Sequence, residues 1–311
     1  MRNMLKSLMV ATEEYVPLKR ELLGIEPDIF ISVATKCGFE PIYIEDEYMM
    51  RRVILKNLGV PKVFLYDQEE SNEFCFLNLS DFHVGHPDFD EEALLNVLCR
   101  YYEKVKDSKH KYVFIAGDAC DAVYEDGLSY ELVKSNDVFD KKVRKIHQAQ
   151  RDKLFSIFSS VPLDYIALNG NHEYMFVQLG LQSPLAVIES RLRNKGINYT
   201  FYDTYIMDFI IAGITLRVMH LEGHLFKEGR NPIYERINQF KQDRLLTCYY
   251  DGKKYPVRII QSGHRHKMQV LYEPTSKIYA IEAGSFLKKE MYGVPQMIQG
   301  QVGKNGIVTL T

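Results

Sequence analysis

The spacing of apolar residues changes character near residue 70. Before it, apolar positions recur at helical intervals in short pieces, over residues 4–11, 27–36 and 46–58, with Pro27 opening the second and Gly38 and Gly59 ending the second and third. The pattern predicts a small helical module over residues 1–70. From Glu73 the pattern becomes strand, loop, helix, repeated. Residues 74–80 form an apolar run of strand type, residues 90–106 place Leu94, Leu95, Val97, Leu98, Tyr101, Tyr102 and Val105 at helical spacing behind Asp88 or Asp90 as cap, and residues 111–116 form a second strand run. A long helical tract over 141–156 leads into a third strand at 164–168.

After a linking region the chain alternates less regularly. Strand-like runs appear at 200–208, 214–219, 256–261, 278–281 and 307–310, interrupted by a polar stretch of helical tendency at 228–246. Alternating β and α first, and mainly β later, predicts an α/β fold: two mixed sheets facing each other with helices outside, a four-layer α/β/β/α sandwich over 71–311.

Composition narrows the function classes. The 311 residues carry 39 basic and 41 acidic side chains, a formal charge of −2, so no global cationic field announces nucleic acid. Residues 1–70 hold nine Lys or Arg against twelve Asp or Glu, which argues against a DNA-reading module there. The five cysteines are scattered without Cys-x-x-Cys spacing, which disfavours a disulfide framework or a thiolate zinc site and fits a reducing, cytoplasmic setting. No apolar run reaches membrane-spanning length. One tract, 141–153, has six basic residues against one acidic. It reads either as a solvated helix face or as the wall of a groove for a polyanion.

The chemistry sits at the carboxyl ends of the strand runs, where an α/β sheet presents polar groups to a ligand. These ends carry Asp81 and His83, then Asp118 and Asp121, then Asn171 and His172, and later His220, His264 and His266. Mixed carboxylate, amide and imidazole donors suit Mn²⁺, Fe²⁺ or Zn²⁺, and they are too many for one ion. Two ions about 3.5–4 Å apart, sharing a carboxylate, suit attack of an activated water on phosphorus.

Asp81-x-His83, Gly117-Asp118-x-x-Asp121, Gly170-Asn171-His172-Glu173, His220 and Gly263-His264-x-His266 resemble, in order and spacing, the signature of the calcineurin-like metallophosphoesterases, over residues 74–286. The resemblance implies that Asp81, His83 and His266 bind one ion and Asn171, His220 and His264 a second, with Asp118 bridging. His224, four residues on, competes with His220 for its place. The resemblance further implies that His172, oriented by Asp121, protonates the leaving oxygen and that no covalent intermediate forms. In the protein-phosphatase branch an Arg follows the counterpart of Asp121; here Ala122 and Val123 follow. That absence, with the basic tract, favours a phosphodiester, in DNA, RNA or a nucleotide, over a phosphomonoester of protein or small molecule.

Overall fold

Alternate residues of one short strand divide two apolar cores. In Phe74–Leu79 every residue is buried, with Phe74 and Phe76 in one apolar cluster and Cys75, Leu77 and Leu79 in another. A strand buried on both faces is sandwiched between layers. The computed structural model describes residues 15–17, 39–45, 51–57, 62–66, 74–122, 137–220, 237, 246–250, 253–266, 268–288, 298–302 and 308–310. Along them run β1 (Tyr15–Pro17), β2 (Phe39–Glu45), β3 (Arg51–Asn57), β4 (Lys62–Tyr66), β5 (Phe74–Leu79), α1 (Glu91–Val105), β6 (His110–Ala116), α2 (Asp137–Ser160), β7 (Asp164–Leu168), α3 (Asn171–Gln178) and α4 (Pro184–Asn194). There follow β8 (Tyr199–Tyr202), β9 (Ile206–Ile211), β10 (Ile214–His220), β11 (Thr247–Tyr250), β12 (Lys253–Gly263), β13 (Gln269–Glu273), β14 (Ile278–Glu282), β15 (Ile298–Val302) and β16 (Val308–Leu310).

One sheet has the order β16-β15-β5-β6-β7-β8, in which β5, β6, β7 and β8 are mutually parallel and β15 runs against β5. The other has the order β13-β14-β12-β10-β9-β4, with β11 on a further stretch of β12; β10, β12 and β14 are parallel. The sheets pack face to face through Phe74, Phe76, Phe114, Ile166 and Leu168 on one side and Phe209, Leu216, Val218, Ile259 and Ile281 on the other. The outer face of the first sheet is covered by Leu94, Leu98 and Tyr101 of α1, Leu154, Ile157 and Phe158 of α2, and Leu185, Ile188 and Leu192 of α4. The outer face of the second sheet holds Met219, Ile260, Ile278 and Ala280, packed with the helical residue Ile237. The fold is thus the expected α/β sandwich of two mixed sheets, with helices on the outside.

α1 starts where its sequence says it should: the Asp90 carboxylate accepts from the Ala93 amide at 3.0 Å, and Glu91 and Glu92 favour the positive end of the helix. Two expectations change. Residues 46–58 were predicted helical, yet 51–57 form β3, paired with β1 and β2 in a three-stranded antiparallel sheet. The short apolar run Val53-Ile54-Leu55 satisfies either period, and its β-branched pair favours the pleated one. The stretch between β7 and β8 was read as a link and carries α3 and α4 instead. The predicted helices over 4–11, 27–36 and most of 228–246 lie outside the described residues. β4, on the N-terminal side of the change at residue 70, is parallel to β9 within the second sheet. No helix among the described residues is long and apolar enough to cross a membrane.

Candidate metal centre

Because β5, β6 and β7 are parallel, their carboxyl ends lie at one edge, and β10 and β12 end at the adjoining edge of the second sheet with His220 in register with Gly263. Of the nine residues singled out in the sequence, Asp81, His83, Asp118, Asp121, His264 and His266 sit in the loops that leave β5, β6 and β12, Asn171 and His172 open α3 just after β7, and His220 ends β10. The backbone of the first two loops is stitched together: the Asp81 amide donates to the Gly117 carbonyl at 3.2 Å and the His83 amide to the Asp118 carbonyl at 3.1 Å. Asp81, His83, Asp118, His264 and His266 all have φ between +50° and +98°, a region L residues avoid.

Two sets of donor atoms converge. In the first, His83 Nε2 lies 2.9 Å from His266 Nε2, which lies 3.5 Å from Asp81 Oδ1. In the second, His220 Nε2 lies 2.9 Å from Asn171 Oδ1 and 3.1 Å from Asp118 Oδ2, and His264 Nδ1 lies 3.0 Å from the same Asn171 oxygen. The groups Asp81, His83 and His266, and Asp118, His220 and His264, each bring one donor atom per residue within 4.8 Å of one another, as metal chelation requires. A third such group, His83, Asp118 and His172, joins them.

The tautomers sharpen this. His220 Nδ1 faces the Ala116 carbonyl at 2.7 Å and must donate to it, so in neutral His220 the Nε2 lone pair is aimed at two oxygens. Only a proton or a cation at that point makes the contact with the Asp118 carboxylate attractive. In the ion-free protein a proton serves. Burial lowers the His220 pKa, but the Asp118 carboxylate outweighs it and lifts the value to about 9. For Asp118 the balance is mirrored: burial raises its pKa, while His220 and His172 bring the net well below the usual carboxylate range. Burial and the His220 charge push His264 down to about 4, leaving it neutral at pH 7.

His172 borders both donor sets through the group it forms with His83 and Asp118. Its Nδ1 lies 3.2 Å from Asp121 Oδ1, beside the Ala122 amide nitrogen; its ring packs edge-on to His83 with centroids 4.6 Å apart. Burial lowers its pKa, and Asp118 and Asp121 more than offset that, to about 9. The same Asp121 oxygen meets His83 Nδ1 at 3.3 Å, so one carboxylate orients both imidazoles. His224 lies outside the described residues. His86 caps its own loop through the Asp88 amide at 3.1 Å, and Arg265 Nε is 3.9 Å from Glu282 Oε1.

Sequence reasoning missed three supports. Glu173 is fully buried and accepts the Asp118 amide (2.9 Å) and Gly170 amide (2.8 Å) on Oε2 and the Cys120 amide (2.7 Å) on Oε1, tying the β6 loop to the start of α3. A Glu three residues after a helix cap was the available signal. Ser80 Oγ donates to the Ala116 carbonyl at 3.0 Å. Gln150 of α2 donates to the Asp121 carbonyl at 2.5 Å, and no local pattern marks it.

The fold and the site together define a class: a two-sheet α/β sandwich with a buried cluster of imidazoles and carboxylates, able to hold metal, at the shared edge of its sheets. No family model matches the chain and no curated protein matches it in sequence. Among 92 solved chains that match in structure are a single mutant of Vps29 from Entamoeba histolytica (TM-score 0.37, 15% identity, 76% of this chain and 97% of that one) and wild-type Vps29 complexed with Zn²⁺ from the same organism (TM-score 0.32, 12% identity, 76% and 97%). A third is GAP50, described as the anchor in the inner membrane complex of Plasmodium (TM-score 0.37, 11% identity, 77% and 84%).

Proposed function

We propose that the protein hydrolyses phosphoesters with the help of two divalent ions, Mn²⁺ first among them, and that phosphodiesters are its substrate class. The observation that carries this is the His220 Nε2 atom, aimed at Asn171 Oδ1 and Asp118 Oδ2 with its tautomer fixed from behind. Such an arrangement of acceptors around a lone pair suits a cation. Asp81, His83 and His266 would hold one ion, Asn171, His220 and His264 the other, and Asp118 would serve both. Bound there, the ions supply Lewis acidity toward a phosphoryl oxygen and an activated water.

The protein's own groups then have distinct tasks. His172, protonated at neutral pH in the ion-free protein, stands beside the chelating cluster with Nδ1 engaged by Asp121, which leaves Nε2 for the substrate. It donates first to the charge developing on the phosphoryl oxygens and then protonates the leaving oxygen. Asp121 keeps that proton on the side facing substrate. Glu173 fixes the backbone that carries Asp118, so that the shared carboxylate is in place before any ion binds. A diester is favoured because Ala122 and Val123 follow Asp121, where the protein-phosphatase branch of the resembled family carries an Arg that grips a dianionic monoester.

Hydrolysis of bis-p-nitrophenyl phosphate and p-nitrophenyl phosphate by the Mn²⁺-loaded protein tests the reading, with metal content measured alongside. The diester should be the better substrate. His172→Ala should lose about 10²–10⁴-fold in turnover and keep its metal, whereas Asp118→Ala should lose both. A His172→Ala variant with parental turnover, or a parent protein that retains no divalent ion, would overturn it.

A further inference from the structure

The chain as a whole is balanced in charge, but α2 is not. Residues 137–151 contain Lys141, Lys142, Arg144, Lys145 and Arg151 against Asp137 and Asp140, a net charge of +3. The lower end of the helix is neutralised: Lys153 meets Glu91 at 2.8 Å and Asp152 meets Arg191 at 2.5 Å. Lys141 and Lys145, both exposed, make no ion pair among the described residues.

The topology fixes where the cationic half lies. Gln150 touches the Asp121 carbonyl, so that residue is level with the candidate site. From there α2 descends to Ser160 and the chain enters β7 at Asp164, at the edge opposite the site. Residues 137–149 therefore run the other way, on from the site's level and past it. At 1.5 Å per residue the 24-residue helix is about 36 Å long, against about 23 Å for the seven-residue β6. His147 braces the projecting part through the Gln182 carbonyl at 2.8 Å, and Val143 is buried in the core, so the overhang is rigidly seated. Lys142, Ile146 and Gln150 fall in one i, i+4 row, which puts Lys142 about 12 Å above the residue that contacts the Asp121 loop.

We propose that this cationic overhang is the binding wall for a single-stranded nucleic acid whose scissile phosphodiester sits in the adjoining cluster. The proposal rests on the phosphodiesterase reading and deepens it from reaction class to polymeric substrate. A single small phosphoester needs no charge two helical turns from the chemistry, whereas a chain of phosphates continues past the cut point and gains from each cation it meets.

The test replaces Lys141, Lys142 and Lys145 together, once by Glu and once by Gln, in the full chain loaded with Mn²⁺. Cleavage of a labelled oligothymidylate is compared with cleavage of bis-p-nitrophenyl phosphate. Oligothymidylate binding is followed in the His172→Ala background between about 50 and 200 mM salt. The Glu variant should lose at least about tenfold in oligothymidylate cleavage and keep bis-p-nitrophenyl phosphate turnover within about twofold. The Gln variant, which also guards against misfolding of the charge reversal, should flatten the dependence of log K on log salt by about 2, from about 0.7 per phosphate neutralised. Unchanged cleavage and slope in both variants would overturn the proposal, as would a parent that cleaves the small diester and binds anionic vesicles but no oligothymidylate. If the parent cleaves neither substrate while the variants still lose oligothymidylate binding, the wall stands and the catalytic reading falls.

Discussion

Glu173→Gln is nearly isosteric and touches none of the chelating atoms, yet the structure predicts that it loosens the candidate centre. Its two oxygens receive three backbone amides, from Asp118, Gly170 and Cys120, at 2.7–2.9 Å, in a position with no solvent exposure. A glutamine offers one oxygen. Kept at the Oε2 position, it retains the Asp118 and Gly170 amides as neutral bonds, each weaker than its charge-assisted form, and turns an NH₂ toward the Cys120 N–H. Leaving one buried amide unsatisfied costs about 1–3 kcal/mol and the two weakened bonds roughly 1 kcal/mol each. Burial and the nearby Asp118 charge raise the Glu173 pKa, so removing the carboxylate relieves some repulsion. The net is a loss of roughly 2–4 kcal/mol, on the order of 4–12 °C in melting temperature. Circular dichroism melts of the ion-free protein measure the first effect, and Mn²⁺ content after dialysis the second. A variant that melts with the parent and retains as much Mn²⁺ would refute the idea that Glu173 sets the Asp118 loop.

Gly170 has φ −107° and ψ −176°, which any residue adopts, but a Cβ there would run into the Asp118 amide and carboxylate. Gly170→Ala should therefore cost about 1–3 kcal/mol by overpacking and lower metal content with it. Gly180→Ala, where a Cβ meets nothing within 4 Å but φ is +79°, should cost about 1–2 kcal/mol and leave metal content unchanged; equal metal content in the two variants would contradict the reasoning. Metal loading should also release protons. The His220 pKa of about 9 lies above its unfolded value of 6.5, so protonation stabilises the ion-free fold fully below pH 6.5, and this is lost as pH rises through 9. An ion taking the same Nε2 displaces that proton, so Mn²⁺ binding at pH 7 should release about one proton and tighten about tenfold per unit of pH up to 9. Calorimetry in two buffers of different ionisation enthalpy reads the number directly, and a value near zero would remove His220 from the ligand set.

What was legible in the sequence follows from what periodicity records. β5, β6 and β7 were visible because each is a short apolar run closed by polar or glycine residues, and α1 because its apolar stripe follows a cap. α3 was hidden because its first residues, Asn171, His172 and Glu173, are the chemical motif itself, and an eight-residue helix stands by tertiary support more than by its own pattern. β3 was misread because three apolar residues between charged neighbours fit either period. At the centre, the groups that face a ligand were recognisable by type and spacing. Those that hold them there, Ser80, Gln150 and the carboxylate of Glu173, act through backbone atoms of residues distant in sequence, which no linear pattern displays.

The backbone strain of the centre shows what these supports oppose. Seven non-glycine residues among those described have positive φ, and five of them are Asp81, His83, Asp118, His264 and His266; the other two, Ala212 and Lys277, lie in turns between antiparallel strands. Each such residue costs on the order of 1 kcal/mol, so the five together set several kcal/mol against the fold at one edge. The conformations persist because the positions between and beside them are anchored. Phe82, between Asp81 and His83, is fully buried with its ring 5.5 Å from that of Phe286 and 6.4 Å from that of Phe158. The His264 amide is held by both oxygens of Asp81 at 2.9 and 3.0 Å. A core-facing aromatic thus separates two residues that both face the cluster, and the Asp81 carboxylate fixes the backbone of the loop that carries His264 and His266. Strain concentrated where donors converge, and opposed by packing immediately behind it, is the arrangement of a preorganised binding site.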